Sequence, residues 1–331
     1  MTARTARTAR LLGIVLLAAV SFGCEHVSSS STRTDAGPAA DASWVTFQVP
    51  GGVNVNAISG TAENAVLMVG DHGTILRWDG AALVTEGSGT INNLRGVFAV
   101  DADRAYAVGD SGTVLERSAG RWTQVALGAA TGTLTSVWAD AQRVVAVGQR
   151  GLVLARNGAA YAVVPNGGVE NLFAVTGTPG GRVLAVGALG VIYEVGPTLT
   201  RRPIAGFQKM LAGAATGSAG TYLVGLDGTV FEATGGSFAK IDGWPINALR
   251  AASVTGGELW VVGFEGIIAR RAGGKITKVP PLDNRWLTGV YAASPSAVWV
   301  VGRSGLVMRG PPPNLDALGA GADGGMEGGA P

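Results

Sequence analysis

The stretch VGDSGTVL, Val108–Leu115, decides the fold, because near-copies of it recur. VGDHGTIL stands at 69–76, VGQRGLVL at 147–154 and VGALGVIY at 186–193. The shared phrase is Val-Gly-x-x-Gly. It occurs seven times, with its first glycine at Gly70, Gly109, Gly148, Gly187, Gly225, Gly263 and Gly302, so successive copies lie 38 or 39 residues apart. A period of that length in tight register indicates a solenoid or a propeller.

Neighbouring columns choose between the two. Two residues after the second glycine a β-branched residue always follows: Ile75, Val114, Val153, Ile192, Val230, Ile268 and Val307. Three residues before the first glycine stands a large apolar residue, such as Tyr106, Tyr222, Trp260 or Trp299. β-branched and aromatic side chains fit a pleated, half-buried surface, and period-two spacing puts them on one face. The two glycines are expected to supply the positive-φ positions of a tight hairpin. The second unit then reads as four strands: LRGVFAV, RAYAVGD, GTVLERS and RWTQVAL. No segment carries a helical period. Four short strands per repeat make a blade, and seven repeats make an all-β, seven-bladed β-propeller spanning residues 44–310.

Ring closure is also legible. The fourth strand carries a large anchor in six units, at Leu83, Trp122, Tyr161, Leu199, Phe238 and Ile276. The seventh unit instead runs into PPPNLDAL (311–318), and proline has no N–H for a central ladder. Trp44 in SWVTFQV (43–49) lies one period before Leu83. The N-terminal strand is therefore expected to complete the last blade.

With these motifs in place, VGDSGTVLERSAGRW (108–122) resembles the repeat of BNR/Asp-box-like propellers, above all the photosystem II assembly-factor-like propellers of bacteria. The resemblance covers all seven units. The Asp-box turn that usually follows the third strand is degenerate here, as RWDGAAL, RSAGRWT, RNGAAYA and ATGGSFA. The resemblance implies a propeller that recognises a protein or assembly partner.

The flanks read differently. Arg4, Arg7 and Arg10 precede the apolar run LLGIVLLAAVSF (11–22), which is too short for a bilayer span of roughly 20 residues. This is the pattern of a signal peptide over 1–23. The lone cysteine, Cys24, then resembles the acylated first residue of a bacterial lipoprotein, although Ser21 stands where the lipobox usually has an aliphatic residue, and the small Ser21 and Gly23 also suit simple secretion. Glu25 after the cysteine favours the outer over the inner membrane. Residues 24–43 read as a flexible tether and 311–331 as a disordered tail rich in Pro, Gly and Ala. Lys+Arg is 25 and Asp+Glu 23, and three of those arginines belong to the leader. The mature chain is near neutral, which argues against a nucleic-acid partner.

Chemistry is sparse. One Cys and two His, His26 and His72, do not make a zinc site, and no cofactor or metal is expected. Asp101 and Asp103 are a weak calcium signal. The five tyrosines, Tyr106, Tyr161, Tyr193, Tyr222 and Tyr291, all sit in strand columns, so no catalytic constellation is expected. The residues ahead of each innermost strand are more informative: Asn54, Asn93, Thr133, Asn171, Lys209, Asn247 and Trp286, with Arg285 beside the last. They are expected to ring the channel mouth. The asparagines can also serve as backbone caps. Lys209, Arg285 and Trp286 break the pattern, and from Arg250 to Arg309 eight Lys/Arg face three Asp/Glu. The expected function is a non-catalytic envelope lipoprotein that recognises a protein or assembly partner through Asn54, Asn93, Asn171, Lys209, Asn247, Arg285 and Trp286. Lectin-like binding of peptidoglycan or surface polysaccharide is the alternative, and a sialidase- or lyase-type hydrolase the third reading.

Overall fold

The computed structural model describes residues 26–27, 44–127, 132–158, 160–165, 168–280 and 284–310. The expectations for the leader, Cys24, Glu25, the tether beyond residues 26–27 and the tail fall outside these residues. Seven antiparallel sheets form a ring of blades. Blades one to six run over residues 55–85, 94–124, 134–163, 172–201, 211–240 and 249–279. Blade seven uses Leu287–Ser294, Ala297–Gly302 and Leu306–Gly310, and takes its outer strand from Val45–Gln48.

The four strands read in the second unit are Leu94–Ala99, Ala105–Gly109, Val114–Ser118 and Arg121–Gln124. The second strand of each blade is buried on both faces; Ala105–Gly109 is buried throughout. That is why it reads as a continuous apolar run rather than an alternating one. The core is correspondingly divided: seven apolar clusters fill the seams between consecutive blades. Each blade is stable only against its neighbours, which explains the uniform repeat.

The closing strand lies where the period placed Trp44. Val45, Thr46, Phe47 and Gln48 pair with Arg309, Met308, Val307 and Leu306. Phe47 packs between Trp78 of blade one and Trp299 of blade seven, with ring centroids 5.3 and 5.4 Å away. Within the segment read as a tether, His26 and Val27 pair with Val84 and Leu83, adding a fifth strand to the outer edge of blade one.

The glycine assignment needs correction. The first glycine of the motif is extended, with φ −167° at Gly109 and −165° at Gly148. The left-handed residues are the one before the second glycine and that glycine itself: Ser111 at 56° and Gly112 at 69°, for example. The first position excludes a side chain for a different reason. A Cβ on Gly109 or Gly148 would lie 2.1 Å from the carbonyl oxygen of Asn93 or Thr133. That carbonyl accepts the N–H that follows the glycine, from Asp110 at 2.9 Å and Gln149 at 2.9 Å. The turn is thus folded down onto the residue that leads into the innermost strand.

Candidate binding face

Antiparallel order puts two sets of loops on one face, termed here the top. The turn between second and third strands lies there, and so does the segment leading into the innermost strand, because Leu94 pairs with Gly109. All residues expected at the channel mouth belong to this face.

Three of the asparagines join blades. Asn93 Oδ1 accepts the His72 N–H at 3.0 Å, and Asn171 Oδ1 accepts that of Arg150 at 2.9 Å. Asn54 Oδ1 accepts the Ser304 N–H at 2.9 Å, across the point where the ring closes. His72, Arg150 and Ser304 are the left-handed, non-glycine residues of their turns, with φ of 53–55°. Such backbone costs roughly 1–3 kcal/mol per residue, and the side-chain acceptor offsets part of it. The asparagines therefore serve the turn of the preceding blade rather than their own strand.

The remaining positions differ. Lys209 Nζ is 2.8 Å from Asp227, and Asn247 Nδ2 is 2.9 Å from Glu265. In blades five and six the residue whose carbonyl receives the turn N–H is Met210 or Ala248, so Lys209 and Asn247 stand one place ahead of the column assigned to them. Arg285 Nη1 donates to the Ser304 carbonyl at 3.2 Å. Trp286, 43% exposed, meets Phe264 edge-on at 4.4 Å, and the Arg303 guanidinium covers its ring at 4.1 Å. Asp71 accepts from Asn54 and Asn56 at 2.8 Å, and Asp110 from Arg95 Nη2 at 2.8 Å. Hydrogen bonding from Arg95 holds the Asp110 carboxyl below its ordinary pKa. On the opposite face Asp101 is committed to the N–H groups of Asp103 and Arg104 and to the Arg104 guanidinium.

Two features escaped the sequence. The first is apolar exposure. Among the described residues seven large hydrophobics are exposed, and Ile91, Val169, Leu189, Ile246 and Trp286 are all in top-face loops. Ile91 and Ile246 are 85% and 88% accessible. Ile91, Val169 and Ile246 each lie two residues before the residue that leads into its strand, a position where the other four units carry Gly52, Thr131, Gln208 and Asn284. The second is the channel lining. The position after the leading leucine or valine of each innermost strand is Asn56, Arg95, Thr135, Phe173, Ala212, Arg250 or Thr288, around a cavity of about 350 Å³.

No protein-family model matches this sequence, and no curated protein sequence matches it. Solved structures do. One described as YCF48 bound to D1 peptide has a TM-score of 0.67 at 14% identity, covering 83% of this chain and 99% of that one. A streptogramin B lyase structure has a TM-score of 0.73 at 11% identity, covering 81% and 97%. YCF48 from Cyanidioschyzon merolae has a TM-score of 0.65 at 14% identity, covering 82% and 99%. At these identities the likeness establishes the propeller fold.

Proposed function

We propose that this protein is a non-catalytic propeller scaffold that recognises a protein partner on its top face, held in the cell envelope by a lipid on Cys24. One observation carries the binding half of this reading: five of the seven exposed large hydrophobics among the described residues gather on that face. They stand in loops of different blades, so they mark the face that a partner would cover rather than one contiguous patch. Trp286 and Arg303 have the chemistry of interface anchors. The structural neighbour described with a D1 peptide is a propeller of the same architecture that takes a polypeptide, which supports the reading.

The same geometry speaks against glycan and hydrolase readings. Trp286 is a single aromatic shelf with Arg303 over its ring, and the turn carboxylates Asp71, Asp110, Asp227 and Glu265 each accept from a neighbouring side chain. The anchor reading rests on the sequence around Cys24, with Glu25 favouring the outer membrane.

A photo-crosslinking amino acid placed at Ile91 or Ile246 should capture one envelope protein in cells. The same probe at Asp103, on the opposite face, should not, and changing Trp286 to Ala should weaken the capture. Equal capture from both faces would remove the top-face assignment. Fractionation of the same cells tests the anchor: the parent should sediment with membranes and Cys24→Ser should not.

A further inference from the structure

Innermost strands of neighbouring blades do not continue one another's ladders, so polar side chains in the channel bridge them. Asn56 donates to the Leu94 carbonyl at 2.9 Å, and Thr135 to that of Leu172 at 2.7 Å. Ser59, Ser136 and Ser253 accept the N–H groups of Ala99, Val175 and Ala292. These groups are structural.

Arg250 does not fit that pattern. It lines the same cavity, partly buried, and its protein acceptor is the Ala212 carbonyl at a long 3.5 Å. No described carboxylate forms an ion pair with it. Burial pulls its pKa below the ordinary arginine value, and the nearby Arg95 and Arg303 cations push it the same way. A guanidinium nevertheless stays protonated at neutral pH. Arg95 faces the cavity too; its Nε and Nη2 are bound to Asp110, which leaves Nη1 without an acceptor among the described residues. Arginine is rarely buried without a counter-charge, because desolvating a lone cation is costly. At the inner edge of the mouth Arg95, Arg250 and Arg303 stand with Asp71 and Asp110, while Asp227, beside Lys209, and Glu265, beside Asn247, lie one residue further along their turns.

We propose that the central channel binds an oxyanion, a carboxylate or phosphate group, gripped by the Arg250 guanidinium and Arg95 Nη1. The planar fork of Arg250 suits two parallel hydrogen bonds to such a group. A cavity of about 350 Å³ matches a small ligand. Two sources fit this chemistry, a free small molecule or an acidic side chain reaching in from a partner. The inference goes beyond the partner reading and survives its failure, since the exposed apolar loops play no part in it.

Calorimetric titration of the full mature chain, at fixed ionic strength in chloride, tests this with three probes: inorganic phosphate, succinate and the blocked peptide acetyl-Gly-Glu-Gly-amide. At least one should bind saturably at one per chain. Arg250→Gln should weaken it tenfold or more, Arg250→Lys should fall between, and Arg121→Gln, on an outer strand, should match the parent. The melting temperature of R250Q in chloride should not drop, because the variant loses a cation that lacks a counter-charge. Binding of phosphate or succinate identifies a free small anion, and binding of the peptide alone identifies a partner's side chain. Absence of saturable binding by all three probes overturns the site, as does R250Q binding as tightly as the parent. Should R250Q fail to fold, R250K decides: undiminished affinity there removes the guanidinium grip.

Discussion

Deleting residues 44–49 is expected to lower the melting temperature by ten degrees or more. Trp44, Phe47 and Val49 are all buried, and Phe47 joins the first blade to the last through Trp78 and Trp299. Truncating one buried aromatic to Ala costs roughly 3–5 kcal/mol. In a domain of this size each kcal/mol moves the midpoint by about 2–4 °C. The deletion removes two aromatics together and strips the outer strand from Leu306–Arg309, exposing a row of unpaired backbone groups that invites edge-to-edge association. Phe47→Ala should give a smaller shift in the same direction without opening the edge. The two variants separate seam packing from strand closure: the deletion should aggregate on heating and the point variant should not. A deletion melting like the parent would mean that the ring does not depend on its closing strand.

The fold was legible because every blade solves the same packing problem. A strand buried on both faces must be apolar, so Val-Gly and its neighbours recur in register, and the fourth-strand anchor missing from the seventh unit points back to Trp44. Glycine was less transparent. A Gly that recurs in every repeat fits either a positive φ or a close backbone approach, and sequence does not separate the two; at Gly109 and Gly148 the second holds. The face itself was readable, yet its residues were only partly so. Asparagine at a strand lead resembles a local cap, whereas Asn54, Asn93 and Asn171 reach across a seam to another blade's turn. A one-residue shift in the 38-residue units displaced Lys209 and Asn247. Arg95 and Arg250 were hidden because the channel column varies from Asn to Phe to Ala, and side chains lining a channel need only fit the space.

The close approach at the first motif glycine makes the sharper single-residue prediction. Gly148→Ala should cost about 2–4 kcal/mol, the sum of overpacking at a site that cannot expand and a strained backbone hydrogen bond. At roughly 2–4 °C per kcal/mol this is a fall of about 4–16 °C in the melting temperature. The added methyl would lie 2.1 Å from the Thr133 oxygen and 3.0 Å from the Leu134 Cα, both backbone or backbone-fixed atoms with no rotamer to escape into. Relief requires the leading residue of blade three to lift away, which stretches the bond from Gln149 N–H to that same oxygen. Gly87→Ala is the matched control. Its Cβ would meet nothing within 4 Å, and its φ is not positive. Loss of unfolded-chain entropy should leave that variant unchanged or stabilised by about 0.4–1 kcal/mol. The comparison discriminates because φ at Gly148 is −165°, a value that alanine adopts freely. A turn-conformation account therefore predicts no penalty there, and only steric exclusion by the Thr133 carbonyl predicts a large one. Equal melting of the two variants would return the recurring glycine to turn chemistry.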